Sequence, residues 1–215
     1  MGRRRELAIS PRGLVAFDLD GTILRGPTVC ELLAQPLGRV SEMQRFESLS
    51  TEPEIALARS EMSQWYEGLD TRQLCLGLEA ATWAPGARAG VRLLRDNGIE
   101  VVIASITWRF AVQWFATELG VTEVLGTELR ANGHIEHVWP RDKASWLQSI
   151  VAALLLPATQ VAAVGDSASD HDLLSAAALR FYVGTGPAPP ISGLRYRPAG
   201  NIESIAREVI SCWAA

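Results

Sequence analysis

Leu14-Val15-Ala16-Phe17-Asp18-Leu19-Asp20-Gly21-Thr22 sets the reading of the whole chain. A short apolar run passes directly into a polar turn, which predicts a buried strand stopping at Asp18. Downstream, from about 27 to 82, the pattern is all-helical. Ser41-x-x-Gln44, Thr51-x-x-Glu54 and Asp70-x-x-Gln73 each place a side-chain acceptor three residues before Glu or Gln, a helix-start signal. Ile55, Ala58, Met62, Trp65, Tyr66 and Leu69 recur at three- and four-residue steps, predicting the inner face of a small helical bundle.

From Pro85 onward helices and strands alternate. Helices are expected over about 86–97, 107–119, 141–155, 169–178 and 202–212, with strands at 101–104, 161–164 and 180–183. Asn132-Gly133 marks a hairpin. The alternation predicts an α/β fold, a doubly wound, Rossmann-like parallel sheet with helices on both faces. The helical stretch interrupts that order straight after the first strand. It therefore reads as a helical-bundle cap over 26–82, inserted into a core made of 1–25 and 83–215.

In an open parallel sheet, ligands bind outside the carboxyl ends of the strands. Those ends carry Asp18 and Asp20, then Ser105, then Asp166 with Asp170, and the helix start after the hairpin brings Lys143. Four of the chain's eight aspartates thus share two strand ends. Clustered carboxylates repel one another unless a hard cation such as Mg²⁺ neutralises them. Asp also starts turns and caps helices, but four features in order after the expected elements outweigh that simpler reading. Lys143 is an independent check, being the one Lys among 20 basic residues. A compact ammonium that approaches phosphate as a point charge explains a Lys where the composition favours Arg.

These motifs resemble those of the haloacid dehalogenase superfamily of phosphatases. Val15 to Thr22 is similar to its first motif, Ser105 after Val102-Ile103-Ala104 to its second, Lys143 to its third, and Gly165-Asp166-Ser167-Ala168-Ser169-Asp170 to its fourth. The resemblance covers essentially the whole chain and is nearest to the phosphoserine-phosphatase-like branch. It implies a phosphomonoester phosphatase with Asp18 as nucleophile, forming an aspartyl-phosphate, and Asp20 as general acid and then base. It also implies Mg²⁺ held by the Asp18 carboxylate, the Asp20 main-chain carbonyl and Asp166. Ser105, Lys143 and Ser169 would bind phosphoryl oxygens, and Asp170 would orient the metal's waters or Lys143. Asp20 favours phosphate esters over dehalogenation, because an alkoxide leaving group needs a proton and a halide does not.

In phosphoserine phosphatases a Glu after the first motif and an Arg in the cap read the amino and carboxylate groups of serine. Pro27 stands where that Glu falls, with Glu31 one turn on, and Ser60 where the Arg falls, with Arg59 adjacent. Glu31, Arg59, Trp108 and Arg109 are therefore the candidates for substrate specificity. The expected substrate is a small phosphate ester other than serine phosphate. A phosphotransferase or phosphomutase using the same aspartyl-phosphate is one alternative, and a non-catalytic regulatory protein of this fold is the other.

His134, Glu136 and His137 have a possible metal spacing, but they flank the hairpin tip and read as a solvated flap. His171 reads as a helix-surface residue. Gly184-Thr185-Gly186 runs into prolines with no helix, which excludes a dinucleotide loop. A net charge of −4 and a pI near 5.5 argue against nucleic-acid binding, and Arg3 to Arg5 reads as a solvated tail. Hydrophobic residues make up 48% of the 215, enough for a core, yet no run approaches a membrane span. Leu7-Ala8-Ile9 is too short for a secretory segment, and Cys30, Cys75 and Cys212 are too scattered for a disulfide framework. A cytoplasmic monomer or homodimer is expected.

Overall fold

β1 (Gly13–Phe17) is buried along its whole length, and the chain leaves it through a tight loop at Leu19–Ile23 in which Gly21 takes φ +77°. β2 (Leu24–Arg25) leads into four helices: α1 (Val29–Ala34), α2 (Val40–Glu47), α3 (Glu52–Trp65) and α4 (Thr71–Cys75). β3 (Thr82–Trp83) returns antiparallel to β2, so the helical insert leaves and re-enters through one two-stranded ribbon. The order then runs α5 (Ala87–Asp96), β4 (Ile99–Trp108), α6 (Arg109–Leu119), β5 (Glu123–Leu129), β6 (Ile135–Glu136) and α7 (Pro140–Ala153). It ends with β7 (Val161–Gly165), α8 (His171–Ser175), β8 (Leu179–Tyr182), β9 (Leu194–Tyr196) and α9 (Ile202–Ala214). This computed structural model describes residues 10–214; the Arg3–Arg5 stretch lies outside the described residues.

The sheet order is β6-β5-β4-β1-β7-β8-β9, parallel throughout except for the β5–β6 hairpin. Phe17 is in register with Ile103 on one side and Val164 on the other. Asp18 therefore emerges between the ends of β4 and β7, where the strand order changes direction and a crevice opens. Alternating side chains feed two cores. Val15, Phe17, Val101 and Ile103 meet Leu94 of α5, Phe115 of α6 and Val209 of α9. Leu14, Ala16, Val102 and Ala104 meet Leu147 of α7 and Leu173 and Leu174 of α8. Each fully buried large side chain stabilises the fold by roughly 1.5–3 kcal/mol. No helix among the described residues is long and apolar enough to cross a membrane.

Several local features differ from the sequence reading. Helix α2 starts at Val40 with Arg39 in the cap position, so Ser41 lies inside the first turn instead of capping it. An ion pair of 2.8 Å between Arg39 and Glu42 closes that turn. The capping box that starts α1 is Thr28 with Glu31, a signal of the same kind as Thr51 with Glu54 and Asp70 with Gln73. Strand β4 runs past Ser105 to Trp108 with a register shift after Ala104, so Ser105 sits in an irregular strand end and not at its terminus. The short strands β2, β3 and β9 have too few residues to show a period of two.

Candidate active site

Asp18, Asp166 and Asp170 converge at the carboxyl edge of the sheet, each offering an oxygen within 4.8 Å of the others. Lys143, near the start of α7, is fully buried beneath them, and its ammonium donates to Asp18 Oδ1 and Asp170 Oδ1, both at 2.7 Å. Asp170 is committed on both oxygens. Its Oδ2 accepts from the backbone N–H of Asp166 at 3.0 Å and of Ser167 at 3.2 Å. That leaves Asp18 and Asp166 as the carboxylates with free lone pairs toward the crevice. Thr22, quoted in the opening motif without a role, donates to Asp166 Oδ1 at 3.3 Å.

The glycines of the two motifs permit this closeness. A Cβ at Gly21 would fall on the Asp166 carboxylate, and one at Gly165 on the Asp170 side chain. The oxygen-only donor set and the cradle at Gly21 fit a hard cation such as Mg²⁺. The electrostatics agree. Burial first, then the Asp170 and Asp166 carboxylates, push the Asp18 carboxyl well above its ordinary value against the pull of Lys143. Burial and Asp170 carry Asp166 up to about 6. Burial works against the Lys143 charge, but Asp18 and Asp170 outweigh it and hold the ammonium protonated. Three carboxylates against one ammonium leave the cluster short of positive charge.

Asp20 stands apart from this cluster. Its Oδ1 accepts from the backbone N–H of Val29 at 2.7 Å, at the start of α1, and burial carries its carboxyl up to about 7. Its side chain is therefore not one of the clustered carboxylates; only its main-chain carbonyl remains for the ligand role the sequence suggests. Ser105, Asp20, Asp166 and Ser169 all line a cavity of about 500 Å³ that opens above Asp18. Ser105 Oγ accepts from Thr107 N–H at 3.2 Å, and Ser169 Oγ lies 2.7 Å from Ser167 Oγ.

The specificity candidates divide. Arg59 and Trp108 line the cavity; Glu31 and Arg109 do not. Glu31 spends its carboxylate on the Thr28 N–H at 2.8 Å, and Arg109 turns outward to Glu128 at 3.5 Å. Arg59 reaches from α3 across to the core, donating to Ile106 O at 2.7 Å and Val138 O at 3.3 Å, and contacting His137 Nδ1 at 3.2 Å. Its guanidinium also lies 4.8 Å from the Trp139 ring centre, and an exposed Arg141–Glu52 pair bridges the same two parts. His137 is thus a strut and not part of a solvated flap, whereas Glu136 pairs with Arg130 at 2.8 Å and His171 is exposed beside Asp172. The stripe read as the inner face of a bundle has a second duty, because Ile55, Ala58 and Met62 also face the cavity. Met43, Phe46 and Glu47 of α2 join them there. Nothing in the helical periodicity of α2 separates a cavity wall from a bundle core.

Residues 15–175 match the family model of haloacid dehalogenase-like hydrolases. The chain is 29% identical over 193 residues to phosphoserine phosphatase SerB2 of Mycobacterium tuberculosis, covering 85% of this chain and 46% of that protein. It is 28% identical over 196 residues to a phosphoserine phosphatase of Polaromonas, covering 81% and 80%. The chain spans about half the length of the mycobacterial relative. A structure described as a phospho-aspartyl intermediate analogue of phosphoserine phosphatase superposes with a TM-score of 0.73 at 19% identity, over 91% of this chain and 98% of that one. The 3-deoxy-D-manno-octulosonate 8-phosphate phosphatase of Moraxella catarrhalis, solved with magnesium and phosphate, gives 0.54 at 16% identity, over 94% and 88%. Both likenesses show the fold.

Proposed function

This chain belongs to the haloacid dehalogenase-like hydrolase family, and on that premise we propose that it is a Mg²⁺-dependent phosphomonoester phosphatase working through Asp18. The observation that carries the reading is the clamp of Lys143 on Asp18 and Asp170, at 2.7 Å each, with Asp166 and the Gly21 cradle alongside. Phosphoserine phosphatase relatives and the magnesium and phosphate of the Moraxella structure support it.

Asp18 and Asp166 would hold the Mg²⁺ with the Asp20 carbonyl, and the bound ion would supply positive charge to the phosphoryl oxygens. Asp18 Oδ2 has no hydrogen-bond partner among the described residues and is the attacking atom, while Lys143 fixes Oδ1. The Asp18–phosphorus bond forms as the ester oxygen departs, and Asp20 gives that oxygen its proton. Asp20 then takes a proton from the water that releases phosphate from Asp18. A carboxyl near 7 suits both halves of this exchange. Ser105 and Ser169 line the place the phosphoryl group would occupy. Residues 26–82 act as a cap over the described core residues, 10–25 and 83–214, latched by Arg59, and exclude bulk water while Asp18 carries the phosphoryl group.

Phosphate release from 4-nitrophenyl phosphate, with Mg²⁺ and with EDTA, tests the reading. Metal-dependent release that disappears in Asp18→Asn is expected. Release indifferent to both overturns it.

A further inference from the structure

Resting on that phosphatase reading, we propose that the alcohol half of the ester is a bulky apolar group bearing no carboxylate. A phosphoryl group fills only the floor of the cavity of about 500 Å³. Above the floor the wall is Met43, Phe46, Leu49, Ile55 and Met62 from the insert and Trp108 from β4. Met43 and Met62 are the chain's only methionines after Met1. Methionine adapts its shape to apolar ligands, so its concentration on one wall points to an apolar occupant.

The charged groups on the wall argue against a carboxylate. Arg59 is the one cation on this lining among the described residues, and Ile106 O, Val138 O, His137 and the Trp139 face already hold it. Glu47 stands at the mouth, its Oε1 accepting from Thr28 Oγ1 at 2.7 Å, with no cation paired to it among the described residues. A carboxylate on the ligand would face the carboxyl groups of Glu47 and Asp20, with only an Arg59 whose two terminal nitrogens already donate within the protein to set against them, which is costly. An aromatic or aliphatic group placed there removes apolar wall from water and is favoured. Pro27 offers no charge and Glu31 is committed to Thr28, so neither serves the ammonium of serine phosphate.

Calorimetric titration of the Mg²⁺-loaded protein with three phosphonates decides this, because binding is read without turnover. The probes are 3-phenylpropylphosphonate, propylphosphonate and 2-amino-4-phosphonobutanoate, the last a carbon isostere of serine phosphate. The phenyl compound should bind about 10- to 100-fold more tightly than the propyl one. The amino-acid compound should bind no better than propylphosphonate. Met62→Gln should lower the phenyl-to-propyl ratio about tenfold. Equal binding of phenyl and propyl compounds, tightest binding of the amino-acid compound, a ratio unchanged in Met62→Gln, or no binding of any probe overturns the inference. Phenyl-selective binding by a protein that hydrolyses no ester would instead contradict the phosphatase reading and leave the apolar subsite standing.

Discussion

The floor and the wall of the cavity are built on opposite principles. On the floor, Asp170 has both oxygens engaged, Lys143 near the start of α7 is clamped by two carboxylates and Asp166 is held by Thr22, with the three clustered aspartates within a few residues of strand ends. On the wall, Met43, Phe46, Ile55 and Met62 are held by packing, and the insert is tied to the core by few polar bridges, chiefly Arg59. The floor is thus fixed by short-range geometry at a switch point, while the wall is made of adaptable side chains on the helical insert. Changes to the floor should therefore alter rate steeply and uniformly. Changes to the wall or its latch should alter which ester is used.

The largest effect is expected at Asp18. Asp18→Asn keeps the side-chain shape and should cut turnover of every ester by about 10⁴-fold or more, with the fold retained by circular dichroism. Comparable activity in that variant would break the comparison at its root. Next, Asp20→Asn should slow the first step, release of the alcohol, by about 10²- to 10⁴-fold on alkyl phosphates. By contrast 4-nitrophenolate, which departs without a proton, should still appear in a single-turnover burst before the slowed hydrolysis of the aspartyl-phosphate. Equal losses in that first step on both esters would mean that Asp20 acts structurally through Val29 and not as an acid.

These floor residues are the ones legible in the sequence, and the reason is physical. Asp18, Asp20 and Gly21 lie within one turn after a strand, so their juxtaposition is local, and Lys143 stood out because the chain otherwise uses Arg. The specificity candidates were not equally legible. Glu31 and Arg109 lie near the motifs in sequence, yet a capping box claims one and Glu128 the other. Arg59 is a specificity candidate in the sequence, but its position and role depend on Ile106 and Val138, 47 and 79 residues away. The Thr28–Glu31 cap carries the same pattern as the Thr51 and Asp70 boxes and is equally local, and it is what commits the Glu31 carboxylate. The irregular end of β4 was invisible, because an apolar run shows no register shift.

A smaller effect is expected at the latch. Arg59→Ala frees the insert from Ile106 and Val138 and should lower kcat/KM by about 10- to 100-fold on bulky esters, and less on ethyl phosphate. A uniform loss across esters would assign Arg59 to the floor.

The smallest effect is on stability against pH. Asp20 at about 7 and Asp166 at about 6 both stand above an ordinary 3.8. The folded chain thus binds these protons more tightly than the unfolded one. Their contribution is complete below pH about 4 and is lost as the pH rises through 6 and 7. The metal-free protein should accordingly melt lower at pH 8 than at pH 5. Saturating Mg²⁺ should raise Tm by about 5–10 °C at pH 8 and by less at pH 5. A Mg²⁺ effect independent of pH would detach the ion from these carboxylates.

In the proposed mechanism the phosphoryl group resides on Asp18 during turnover. Acid-quenching the enzyme during turnover, reducing with borohydride and mapping peptides by mass spectrometry reads this directly, since an acyl phosphate is reduced and a free carboxylate is not. The account predicts conversion of Asp18 to homoserine only when Mg²⁺ and ester are both present. Steady turnover with Asp18 unmodified, or reduction at a different carboxylate, would contradict it.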